Sequence, residues 1–186
     1  MILLMASSGI RVGAIPSLRI SSLLKLDEGV GFLTVYPGTK HSYFTLVTSE
    51  FLTTIEEYLE FRRRQGEPVV AESPLIRDKF NTFGKATNKA KAISELAINK
   101  QMRLLLRKAE LSFDQLQPNH SYRKFFNSCL LNSDVSFTFK ELMMGDSVNL
   151  DRVYYDRNSE ISRKKILLEY LKAVDALTIN ETYRLK

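Results

Sequence analysis

Apolar and polar positions change period several times along the chain, and each change marks an element. Residues 1–8, MILLMASS, are apolar almost throughout and suit a short core helix, which Ser7, Ser8 and Gly9 then break. The apolar run starts with no capping residue before it, which implies that more protein once preceded it. Arg11 stands just past the break, and a second helical piece follows, interrupted near Pro16 and resuming from Leu18 to Leu26. Gly29 to Val47 reads as two β-rich runs around Pro37, Gly38 and Thr39, a hairpin with Lys40 at the mouth of its turn.

From Thr48 the period becomes helical, with Phe51, Ile55, Tyr58, Leu59 and Arg62 on one stripe and Gly66 in place to end it. Residues 67–88 are polar and irregular, holding Pro68, Pro74 and Gly84, and residues 89–112 read as helix again. Pro118 and Asn119 open a new unit in which His120–Asn132, Phe137–Met144 and Ile161–Leu177 carry helical spacing. The last of these aligns Leu167, Leu171 and Val174, with Leu168 beside them, and follows the polar stretch Asp156, Arg157, Asn158 and Ser159. The pattern predicts an α+β fold, mostly helical, with a small antiparallel β-hairpin sheet. It fills one domain, 1–186, whose residues 156–186 form a carboxy-terminal linker and helix.

Composition narrows the class. Hydrophobic residues make up 44% of the 186, with 11 Phe and 8 Tyr, and only 8 Gly and 5 Pro interrupt them, so a packed core is expected. Lys and Arg number 27 against 21 Asp and Glu, a net charge of +6 that favours a polyanionic partner. Much of the excess falls on Lys85, Lys89, Lys91, Lys100, Arg103 and Arg107, with Lys108 nearby. On charge alone, a solvated helix face and a row of phosphate contacts explain these residues equally well. The single Cys129, in an apolar run, rules out an internal disulfide or a Cys-based zinc site and reads as a buried thiol. His41 and His120 are too few for a His-rich site, so no metal or other cofactor is expected. No stretch is long enough to span a bilayer, and the opening apolar run is too short and lacks the basic flank of a signal peptide. A cytoplasmic protein is expected.

Taken singly, Arg11, Lys40, the His120/Arg123 pair and the Tyr154/Tyr155 pair are weak signals. Their order and contexts are stronger. SSGIRVGAIPSL resembles the segment of tyrosine recombinases of the integrase type that carries the first catalytic arginine. YPGTKHSYFTL resembles their β-hairpin with its lysine. HSYRKFFNSCLL is similar to their His-x-x-Arg helix, and ELMMGDSVNLDRVYYD to their closing segment with the nucleophilic tyrosine. The tail EYLKAVDALTINETYRLK resembles archaeal integrases, mobile-element enzymes that also carry paired tyrosines. These segments cover nearly the whole chain; only residues 81–118 lack a distinctive motif.

The resemblance implies a tyrosine-recombinase catalytic domain and a site-specific recombinase that cleaves and rejoins double-stranded DNA through a 3′-phosphotyrosyl intermediate. The residue types suit that chemistry. A phenol with an ordinary pKa near ~10 must lose its proton as it attacks. Two guanidiniums, Arg11 and Arg123, would grip the non-bridging oxygens. Lys40 would protonate the 5′ leaving oxygen, and His120 would position the phosphate or take the tyrosine proton. The phosphotyrosyl bond keeps the phosphodiester energy, so neither a small-molecule substrate nor a metal is implied. The family's nucleophile lies nine residues past a histidine whose place is Asp146 here, which selects Tyr155 and leaves Tyr154 as the alternative.

Three departures stand out. Asp146 replaces that histidine, and an ionised carboxylate repels phosphate by roughly 1–4 kcal/mol at ~4 Å, unless it is protonated or turned onto an arginine. Ala14 stands where many members have an acid supporting the first arginine. The family's amino-terminal core-binding domain has no room before Arg11, which implies a stand-alone gene, a decayed gene or the catalytic half of a longer protein. A catalytically impaired DNA-binding remnant or regulator on the same fold is therefore the competing expectation. With or without activity, a monomer is expected in the absence of DNA, the last helix folded back in cis, with self-association on DNA.

Overall fold

The computed structural model of the protein describes residues 1–79, 90–111, 118–146 and 160–184. Helix α1 (Ile2–Ser8) is followed by 3-10 turns at Val12–Ser17 and Ile20–Ser22, then by strands β1 (Leu23–Lys25), β2 (Gly31–Val35) and β3 (Tyr43–Val47). Helices α2 (Ser49–Arg64), α3 (Glu95–Lys108), α4 (Pro118–Asn132), α5 (Phe137–Met144), α6 (Glu160–Leu171) and α7 (Val174–Leu177) complete it, before a last 3-10 turn at Glu181–Tyr183.

The strands form one antiparallel sheet in the order β1-β2-β3, with Val35 opposite Tyr43 and Gly31 opposite Val47. Both of its faces are covered. Leu33, Val35, Tyr43 and Val47 join a core with α1, α2 and α3, while Phe32 and Leu46 join a second one with Phe126, Leu130, Met143, Ile166, Tyr170 and Val174. Successive strand side chains point to opposite faces, so burial on both sides turns the expected alternation into near-continuous apolar runs.

Three readings of the sequence need correction. The piece from Leu18 to Leu26 is not a helix: Ile20 and Ser21 donate their amides to Ser73 and Ala71, and Leu23–Lys25 pairs with β2 as an edge strand. Residues 90–94 are not helical either, because Ala92 bridges Arg77 and α3 begins only where the Ser94 hydroxyl accepts the Ala97 amide at 3.2 Å. The helix expected over 161–177 breaks after Leu171, and α7 continues from Val174. Leu167 and Val174 are buried as the stripe implied, Leu171 less so, and Tyr170 and Ala173 lie deepest, both at 0% exposure. Both pieces fold back onto the core of their own chain.

The expected thiol at Cys129 is half-buried, donates to the Ala176 carbonyl at 3.4 Å, and is pushed up in pKa by burial. Residues 67–79 are irregular but anchored. Arg62, fully buried on α2, donates to Glu67 at 2.6 Å and to the Pro74 carbonyl at 2.7 Å, and Arg77 donates to the same Glu67 at 2.7 Å. No helix among the described residues is long and apolar enough to cross a membrane.

Candidate active site

The site is built on the end of α1. An α-helix leaves its last carbonyls without intrahelical donors. Here three side chains from separate elements supply them: Tyr170 of α6 donates to Ser7 O at 2.8 Å, Thr45 of β3 to Ser8 O at 2.8 Å, and Arg123 of α4 to Gly9 O at 2.8 Å. Gly9 adopts φ +61°, and any Cβ there would run into the Phe126 ring, so the sharp exit that delivers Arg11 requires glycine.

A second helix end brings in Asp146. Gly145 (φ +67°) closes α5, with its amide on Leu142 O at 3.1 Å and the Asp146 amide on Glu141 O at 3.0 Å, a Schellman arrangement. Arg123 Nη2 donates to Met144 O at 2.9 Å and to Asp146 Oδ2 at 2.7 Å. The other carboxylate oxygen, Oδ1, accepts a close hydrogen bond from Arg11 Nη2. Two guanidiniums thus converge on one carboxylate, an arrangement suited to gripping any anion with two terminal oxygens. Arg123 is fixed by two backbone carbonyls with its side chain 11% exposed, whereas Arg11 is 48% exposed and held only by the carboxylate among the contacts described.

The remaining sequence candidates distribute around this centre. His120 lies one turn before Arg123 on α4 and is exposed. Lys40 sits exposed in the β2–β3 turn, which is held by Thr39 Oγ1 on Tyr36 O at 2.9 Å and by the Ser42 amide on Thr39 O at 3.0 Å. Lys100, Arg103 and Arg107 occupy the solvent side of α3, and Lys91 is exposed ahead of it. Tyr154, Tyr155, Lys85 and Lys89 lie outside the described residues. Among the described residues, no three His, Cys, Asp or Glu side chains gather as metal ligands.

The sequence pointed to Arg11, Arg123 and Asp146 but not to their anchors. Backbone carbonyls leave no mark in a sequence. It also passed over Tyr43, a β3 residue buried to 3% exposure beside Gly145. The signal for it was a phenol on an inward strand position, three residues past Lys40.

No protein-family model matches the chain, and no curated protein does. Solved structures do. XerH site-specific recombinase bound to difH substrate in a pre-cleavage complex is 19% identical, with a TM-score of 0.59 over 84% of this chain and 42% of that one. XerA recombinase gives 19% and 0.59 over 90% of this chain and 54% of that one. XerH bound to palindromic difH in a post-cleavage complex gives 17% and 0.58 over 96% and 44%. The chain spans about half the length of these structures, between 42% and 54%. The fold is the mostly helical α+β architecture of a tyrosine-recombinase catalytic domain, with its small antiparallel sheet.

Proposed function

We propose that this chain carries the strand-transfer centre of a site-specific DNA recombinase, with Tyr155 as nucleophile and Tyr154 as the alternative. The observation that carries this reading is the convergence of Arg11 and Arg123 on the two oxygens of the Asp146 carboxylate. A phosphodiester presents two non-bridging oxygens in a similar fork, and the same donors would neutralise the charge that grows on them during attack. The phenolate oxygen attacks phosphorus, the bond to the 5′ oxygen breaks, and Lys40 on its exposed turn gives that oxygen a proton. His120, on the Arg123 face of α4, holds the phosphate or receives the phenol proton. The product is a 3′-phosphotyrosyl bond, and attack by a 5′ hydroxyl reverses the sequence without an external energy source.

The partner is double-stranded DNA. The exposed row Lys100, Arg103 and Arg107, with Lys91, Lys85 and Lys89, would follow the duplex backbone, so binding should weaken steeply with salt. Without DNA the chain is a monomer, because α6 and α7 already bury their apolar face on their own core; self-association requires paired DNA sites. The resemblance of the tail to archaeal integrases supports reading such an activity as that of a mobile element, acting in the cytoplasm.

A second reading has a specific observation in its favour. Asp146 fills the arginine fork itself, which suits a protein that binds DNA on this fold and no longer cuts it. A duplex nicked near the crossover point separates the two readings. A covalent protein–DNA adduct supports strand transfer, shifted but uncleaved DNA supports the binding remnant, and absence of both removes the recombinase reading.

A further inference from the structure

Tyr43 takes no part in the chemistry proposed above, yet the fold packs it against the turn that carries Asp146. It opens β3 just beyond the Lys40 turn and is 3% exposed. Its ring lies flat on the turn that carries Asp146: a Cβ on Gly145 would fall 2.6 Å from Tyr43 Cε1 and 2.7 Å from both Cδ1 and Cζ. Cζ bears the hydroxyl, so the hydroxyl lies near Gly145, the residue just before Asp146. The charges of Arg123, Arg11 and Asp146 all act on the phenol. Its oxygen is buried and has no hydrogen-bond partner among the described residues.

Buried hydroxyls are nearly always paired, and a phenylalanine would fill this space without the unmet donor. An unpaired donor that feels the charges of the anchored Arg123 and the more exposed Arg11 points at the ligand those guanidiniums would take. We infer that Tyr43 is a further phosphate-contacting residue, whose hydroxyl donates to a phosphoryl oxygen once that group takes the seat now held by the Asp146 carboxylate. The Gly145 turn makes the exchange local: rotation about one left-handed glycine swings Asp146 out of the fork and opens the hydroxyl to the incoming oxygen. Glycine is needed there twice, for its φ of +67° and for the space that the Tyr43 ring occupies. Burial pushes the phenol up to about 12, more than Arg123 and Arg11 pull it down, so it remains a protonated donor across the physiological range. That property also separates Tyr43 from the nucleophile, which must give up its proton.

The inference rests on the reading that a phosphate enters the arginine fork, and its test uses inorganic phosphate rather than DNA cleavage. Phosphate is titrated into the full chain carrying Asp146→Asn, which removes the competing charge, and into Asp146→Asn with Tyr43→Phe. Affinity is read from calorimetry and from ligand-induced thermal stabilisation. Tyr43→Phe keeps the ring against Gly145, so without phosphate the double variant should melt no lower than the single one. With phosphate it should bind about ten-fold more weakly or worse, the usual effect of losing a hydrogen bond to a charged group. Equal affinity in the two proteins overturns the assignment, and so does absence of any phosphate binding in the Asp146→Asn protein. Failure of the strand-transfer reading appears elsewhere, as a missing adduct on the nicked duplex while phosphate still binds in a Tyr43-dependent way.

Discussion

The Tyr170 hydroxyl reaches across 163 residues of sequence to donate to the Ser7 carbonyl at 2.8 Å, joining α6 to the end of α1. The bond lies in a fully buried environment that also pushes the phenol well above its usual pKa of 10. Tyr170→Phe should therefore leave Ser7 O without this donor and cost about 1–3 kcal/mol. Urea unfolding should show the loss as a lower midpoint at unchanged slope. Since the same bond supports the turn that delivers Arg11, DNA affinity should fall with it. A variant as stable as the parent would show that the bond contributes nothing and that apolar burial alone docks α6.

Glu67 gives the fold an acid-sensitive joint. Burial pushes its carboxyl up, but the hydrogen bonds from Arg62 and Arg77 outweigh that and hold it below the usual carboxylate range. A carboxylate with a lowered folded pKa adds stability above its unfolded pKa of ~4.3, and that stability is lost as pH falls through the lower folded value. Glu67→Gln should cost about 3–5 kcal/mol at neutral pH, because the fully buried Arg62 loses its counter-charge and Arg77 loses its nearer one, keeping Asp78 at 3.6 Å. The variant should also show a flatter stability profile below about pH 5 than the parent. Parallel profiles in chemical denaturation across that window would assign the acid sensitivity to other carboxylates.

How much of this was legible in sequence depended on whether the cause was local. The hairpin around Pro37 and Gly38, the stripe of α2 and the His120–Arg123 spacing are set by residues near one another, and each stands where the pattern put it. The stretch from Leu18 to Leu26 was misread because amide partners at Ala71 and Ser73, some fifty residues away, decide its conformation. Arg62 fell on the apolar stripe of α2 with nothing to show that Glu67 would neutralise it. The site divides the same way. Arg11, Arg123 and Asp146 carry their chemistry in their side chains and could be chosen in advance, whereas the Gly9 and Met144 carbonyls that hold Arg123 follow only from two helix ends meeting.

The choice between the paired tyrosines rests on register, with Tyr155 nine residues beyond Asp146. Tyr155→Phe should leave duplex binding unchanged and remove the covalent adduct on a nicked substrate. Tyr154→Phe should retain the adduct. Peptide mapping by mass spectrometry provides the direct reading, and a phosphotyrosyl link on Tyr154 would reverse the assignment.

On the proposed reading, Asp146 would govern how readily the fork accepts DNA. Its carboxylate must leave Arg11 and Arg123 before a phosphate can take both, and it repels that phosphate on the way. Two unit charges about 4 Å apart interact by roughly 1–4 kcal/mol at effective dielectrics of 80 to 20. Arg11 is 48% exposed and Asp146 31%, so solvent screening places the cost at the lower end. About 1 kcal/mol corresponds to a roughly five-fold change in rate or affinity. Asp146→Asn, which removes the charge and keeps the shape, should tighten duplex binding by about that factor and raise the rate of adduct formation. Asp146→His should raise the rate further, because an imidazole can donate to the phosphate where a carboxylate repels it. Single-turnover cleavage of the nicked duplex, beside fluorescence anisotropy for affinity, separates the two effects. Tighter binding with no adduct in any variant would favour the remnant reading, with Asp146 one part of a wider loss. An unchanged or slower rate in both variants, at unchanged affinity, would make Asp146 a working member of the site, orienting Arg11 and Arg123 instead of obstructing them.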